Sequence, residues 1–230
     1  MSESLFLAYL FVRGRQTLMY MKIVAALTDP THAAKAKKQG ADIIELRVDL
    51  YDGDLKKIAK KAKESSGLPV ILTLRSAQEG GQFFGTPEEW MTKLAPLLPF
   101  ADYVDVERQY AGHVPAIREA EKKIIASHHS GQMVPLYILF VMEREVRVYG
   151  DIPKIVITPQ SNEDVLEFLA FTQAAHKPIC TGVMGDTFRH ARAMLPLFGS
   201  EFVYCHTGVP TAAGQYSVEE FAALRKILGV

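Results

Sequence analysis

Between residues 22 and 227 the chain alternates short apolar strand-like runs with helix-like stretches, eight times over. The strand-like runs fall at 22–27, 42–50, 68–74, 103–106, 123–127, 153–158, 178–184 and 201–205. Helices are expected between them, at 29–40, 54–65, from Thr86-Pro87-Glu88-Glu89 onward, and at 114–122, 134–148, 161–175, 186–198 and 218–227. Several have readable starts and stops, such as Asp29-Pro30 ahead of Gly40 and the Thr86 cap with proline at the first helical position. Eight β/α units are the count of a closed barrel. An open doubly wound sheet usually stops at five or six strands and carries a glycine-rich phosphate loop after its first strand. Here that position reads Thr28-Asp29-Pro30. The expected fold is therefore α/β, a single (β/α)8 TIM barrel over residues 21–230.

Residues 1–20 stand apart. They read either as an extension from an upstream start or as a hairpin turning at Arg13-Gly14-Arg15-Gln16. Their apolar run, Leu5 to Val12, is too short to span a bilayer and lacks the flanks of a signal peptide. Lysine plus arginine number 26, and so do aspartate plus glutamate. This balance gives no general attraction to nucleic acid or an anionic membrane. Two cysteines, Cys180 and Cys205, both in apolar runs, fit reduced thiols in a cytoplasmic protein.

Period-two alternation sorts the strand side chains into two faces. On the second strand Ile44, Leu46 and Val48 meet the helices, leaving Glu45, Arg47 and Asp49 inward. Thr73 and Arg75 share the inward face of the third strand, and Ser127 and His129 that of the fifth. On the sixth, Ile155 and Ile157 face out and Lys154 faces in. An unpaired ammonium in so apolar a strand is costly, and one resolution is a neutral amine that attacks a carbonyl. Glu79, four residues after Arg75 in a loop made pliable by Gly80-Gly81, can reach back to orient the imidazole. The bland alternatives are an internal salt-bridge network among Glu45, Arg47 and Asp49, a satisfied core histidine at 129, and a solvated Arg192. The small-residue loop from Thr211 to Gln215 suits a lid, an anion site or a plain connection.

The segments Glu45-Leu-Arg-Val-Asp49, Thr73-Leu-Arg-Ser-Ala-Gln-Glu-Gly-Gly81, Asp102-Tyr-Val-Asp-Val-Glu107, Ser127-His-His129, Ile152-Pro-Lys-Ile155, Thr158-Pro-Gln-Ser161, Phe198-Gly-Ser200 and Ala213-Gly-Gln215 occur in this order. On them the chain resembles the type I 3-dehydroquinate dehydratases across residues 22–225. The resemblance implies a Schiff-base lysine at Lys154, a proton-transfer histidine at His129 and its positioning glutamate at Glu79. It implies substrate contacts at Glu45, Arg47, Arg75, Met184, Arg192, Tyr204, Thr211 and Gln215, with Arg192 on the substrate carboxylate. Tyr204 stands where many relatives have phenylalanine, Thr211 where they often have serine, and His128 where bacterial members commonly have tyrosine.

The implied reaction is loss of water from 3-dehydroquinate, a small-molecule substrate, to give 3-dehydroshikimate. No metal or organic cofactor is implied, because the lysine supplies the electron sink. Family barrels are commonly dimeric, so a homodimer is a possible state. A Schiff-base aldolase on the same fold is the rival enzyme, and a barrel-derived binding protein the rival outside enzymes.

Overall fold

Eight parallel strands, β1 (Lys22–Leu27), β2 (Ile43–Arg47), β3 (Val70–Thr73), β4 (Tyr103–Glu107), β5 (Lys123–His129), β6 (Ile152–Ile157), β7 (Cys180–Val183) and β8 (Phe202–His206), pair in sequence order, and β1 pairs with β8. They belong to a computed structural model that describes residues 21–229; the extension or hairpin expected at 1–20 lies outside them. Between the strands run α1 (Ala33–Gln39), α2 (Leu55–Ser66), α3 (Pro87–Leu94), α4 (Val114–Glu119), α5 (Leu136–Arg147), α6 (Asn162–Ala174) and α7 (His190–Met194), and α8 (Val218–Leu228) follows the last. The barrel expected from the alternation is present and nearly closed. Its seam lies between β7 and β8, which share no ladder. There Glu201 N–H donates to the Ile179 carbonyl at 2.7 Å, and Ser200 Oγ accepts from Thr181 N at 2.9 Å.

Helix ends follow local chemistry. Thr86 and Glu89 form a reciprocal capping box at the start of α3, with Pro87 at the first helical position. The end of α1 is closed by Gly40 at φ 104°, a left-handed cap that a side chain would strain. Several boundaries depart from expectation, and three have a local cause. β2 ends at Arg47, because Asp49 turns its carboxylate back onto the Arg47 guanidinium. β5 continues to His129, since β6 offers it a full edge as far as Val156. The helix expected over 186–198 contracts to α7 and a 3-10 turn at Leu195–Phe198, where Pro196 lacks the N–H an α-helix would use.

The interior is layered. Val24, Ile43, Ile71, Ile125, Ile152, Cys180 and Phe202 form an apolar floor inside the barrel, one residue from each of seven strands. Side chains return to the interior every second residue. Two positions beyond the floor stand Glu45, Thr73, Ser127, Lys154, Gly182 and Tyr204, joined by Asp105 from β4. Two further on come Arg47, Arg75, Glu107 and His129. The polar layers thus lie toward the C-terminal ends of the strands, the end at which barrels of this kind do chemistry. A second, larger core packs the outward residues, such as Leu46, Leu72, Val104 and Ile155, against the helices. No helix among the described residues is long and apolar enough to cross a membrane.

Candidate active site

All six residues of β6 are buried. Lys154 points inward, and its Nζ lies 2.9 Å from Oδ2 of Asp105 and 4.2 Å from the centre of the Tyr204 ring. The amine is therefore paired, where the strand read alone leaves it bare. Asp105 itself is fixed by Arg75 Nη2 at 2.8 Å and Ser127 Oγ at 2.5 Å. Burial raises its pKa, but Arg75 and Lys154 outweigh that and hold it at about 2. Asp105 is an anion at any physiological pH.

The extension of β5 brings His129 inward, where Nδ1 meets Glu79 Oε2 at 2.6 Å. His128 takes the opposite face, half-buried and within the field of Glu145 and Arg108. Glu79 ends a 3-10 turn (Ala77–Glu79) capped by Ser76. Glu107 holds that cap in turn, its carboxylate accepting from both Ser76 N and Ser76 Oγ. The two glycines expected to make this loop pliable shape it instead. Gly80 adopts φ 81°, and a Cβ on Gly81 would stand 2.2 Å from the Arg75 carbonyl oxygen. Burial, reinforced by Glu107 and Asp105 against the opposing pull of Arg75, pushes the Glu79 carboxyl up to about 8. Burial and the charges of Arg75 and Lys154 push His129 well below its ordinary value. At neutral pH the ring carries no net charge.

The inward arginines differ in what they hold. Arg75 Nη1 donates to Glu107 at 2.9 Å, Ser127 Oγ at 3.0 Å and Glu79 at 3.3 Å, so it gathers two carboxylates and a hydroxyl from three segments. Arg47 makes a two-pronged bond to Asp49, at 2.9 and 2.7 Å. Glu45 is not part of that pair; its Oε1 accepts from Thr73 Oγ1 at 2.7 Å.

Across the pocket, Arg192 is 8% exposed, so it is not a solvated surface residue. Its Nη2 donates to the Ala213 carbonyl at 2.9 Å, while its buried Nε has no hydrogen-bond partner. Burial lowers its pKa to about 10. A buried guanidinium with an unused donor is a seat for an anion. The loop that supplies Ala213 is braced from within, Gln215 Oε1 accepting from Thr211 N at 2.8 Å and Ala212 N at 3.3 Å. It is also seated on the segment after β7, where a Cβ on Gly214 would meet the Gly185 carbonyl oxygen at 2.2 Å.

Lys154, His129, Glu79, Glu45, Arg47, Arg75, Met184, Arg192, Tyr204, Thr211 and Gln215 all line one cavity of about 140 Å³. Reading the strands one by one misses Asp105 and Glu107 as members of the site. The signal was present: in Tyr103-Val-Asp-Val-Glu107 the two carboxylates alternate with valines that join the outer core. Among the described residues no three His, Cys, Asp or Glu side chains converge to hold a metal ion.

A family model for type I 3-dehydroquinase matches residues 25–230. A 3-dehydroquinate dehydratase from Methanoregula boonei is 60% identical over 208 residues, covering 90% of this chain and all of that protein. The enzyme of that name from Aquifex aeolicus is 38% identical over 200 residues, covering 84% of this chain and 90% of its own. The crystal structure of the Aquifex aeolicus enzyme superposes with a TM-score of 0.77 at 33% identity, covering 91% of this chain and 98% of that one. With this extent of agreement in sequence and in fold, the chain belongs to the type I 3-dehydroquinase family.

Proposed function

We propose that this protein is a hydro-lyase that converts 3-dehydroquinate to 3-dehydroshikimate through an imine on Lys154, in the route to aromatic amino acids. The observation that carries the reading is one cavity holding three things together: a buried amine, a neutral imidazole on the adjacent strand, and a buried guanidinium with a free donor.

Each takes a role its surroundings suit. The carboxylate of the substrate binds Arg192, where a charge-assisted bond satisfies the idle Nε. Glu45 and Arg47 face the ring hydroxyls, with Gln215 and Thr211 closing the pocket above. Lys154 Nζ attacks the ketone carbon, and the ketone oxygen leaves as water. The resulting iminium draws electrons from the neighbouring C–H far more strongly than the ketone. His129 removes that proton through Nε2, leaving an enamine. The enamine then expels the β-hydroxyl, to which His129 returns a proton, so a second water departs. Water adds back to the conjugated iminium and frees Lys154. Use of one imidazole for both transfers means loss of H and OH from a single face of the ring. Glu79 on Nδ1 fixes the ring's orientation, and positioned proton transfer contributes roughly 10²–10⁴ in rate. We place the enzyme in the cytoplasm, as a single subunit or a homodimer.

Incubating the purified protein with 3-dehydroquinate and following the ultraviolet absorbance of the conjugated enone tests the reaction. Absorbance should rise with time and stay flat for Lys154→Ala. A flat trace with the unmodified protein contradicts the proposed reaction.

A further inference from the structure

The seat beneath the Lys154 amine has two walls that do not follow its motion. One is Asp105, 2% exposed and tied to Arg75 and Ser127 independently of Nζ. The other is the Tyr204 ring on β8, whose centre lies 4.2 Å from Nζ. A carboxylate and the face of an aromatic ring both attract a cation far more strongly than a neutral amine. Building such a seat around a nucleophile looks counterproductive, since only the neutral amine attacks a carbonyl.

The charge balance of imine formation resolves this. An ammonium and a ketone become an iminium and water: two of the three N–H protons leave with the ketone oxygen, and the nitrogen carries one positive charge before and after. The neutral amine is a transient between two cations at nearly one position. We propose that Asp105 and the Tyr204 ring form a fixed counter-charge seat, which holds Lys154 as an ammonium at rest and stabilises the iminium during turnover. This rests on the imine reading above and assigns to Asp105 the task of favouring the iminium over the neutral amine and carbinolamine that precede it. Such pre-set electrostatic stabilisation needs no rearrangement when the charge appears.

The seat slows capture of the free amine yet supports turnover, so removing it must move two readouts in opposite directions. The first is the rate at which acetic anhydride acetylates Lys154 without substrate, read by peptide mass spectrometry near pH 7. The second is kcat for 3-dehydroquinate. In Asp105→Asn acetylation should rise at least about threefold while kcat falls about tenfold or more. Tyr204→Leu should move both in the same directions by less, and decides the matter alone if Asp105→Asn does not fold. A fall in both readouts marks a displaced side chain and overturns the seat, as does a change in only one of them or in neither. If borohydride traps no adduct between the unmodified protein and 3-dehydroquinate, the imine reading fails; the acetylation rates still judge the seat.

Discussion

Glu79 Oε2 meets His129 Nδ1 at 2.6 Å across 50 residues of chain, and this bond occupies one ring nitrogen and leaves Nε2 unengaged by the carboxyl. Burial acts on both partners in the same sense, raising the carboxyl and lowering the imidazole, so each resists becoming charged. The pair therefore makes specific statements about pH.

In the proposed reaction the base is the uncharged ring. Because the folded protein holds His129 well below 6.5, the base form persists into acid. The acidic limb of the kcat/KM profile should have its midpoint below pH 6.5, measured with the native enzyme. A midpoint at or above that value would show that another group sets the limb.

For stability, Glu79 has the opposite sign. Its folded pKa, about 8, lies above the 4.5 of an ordinary glutamate, so within that window the folded protein holds a proton the unfolded chain has released. The stability from this group is full below about pH 4.5 and lost as pH rises through about 8. Glu79→Gln removes the loss. The Tm of the variant minus that of the native protein should therefore grow between about pH 5 and pH 9. In the same variant kcat should fall by about tenfold or more, because an amide replaces the carboxyl that orients the imidazole.

Arg192 separates binding from folding. Arg192→Met keeps the stem and deletes a buried guanidinium whose Nε has no partner. KM should rise by roughly 10–100-fold, the worth of one charge-assisted contact. Tm should stay level or increase, since no buried charge remains to be compensated. A large loss of Tm with an unchanged KM would assign Arg192 to the scaffold.

Gly81 tests the loop that carries Glu79. A methyl group there falls 2.2 Å from the Arg75 carbonyl oxygen, so in Gly81→Ala the turn must move and draw Glu79 away from His129. Steady-state kinetics should show kcat reduced by about tenfold or more, with KM less affected.

How much of this was legible in advance follows from which forces are local. The barrel was legible because apolar alternation and helix caps such as Thr86 act within a few residues, and the inward face of β6 followed from Ile155 and Ile157 pointing outward. The partner of Lys154 was not legible from its own strand. Asp105 lies 49 residues away on β4, and the two meet only because the barrel brings every second residue of each strand to one axis. Gly81 was misread for a similar reason: its need for close approach to Arg75 exists only once the loop folds back. The end of β2 at Arg47 depends likewise on Asp49, whose oxygens also accept from Arg75 N and Gln82 N. Short-range pattern located the candidate groups, and long-range pairing set their surroundings.

The most direct measurement is covalent. Borohydride added during turnover of 3-dehydroquinate, followed by peptide mass spectrometry, should yield a stable adduct on Lys154 and none in Lys154→Ala. An adduct on a different lysine, or an unmodified Lys154 in an enzyme that still turns over, would contradict catalysis through this amine.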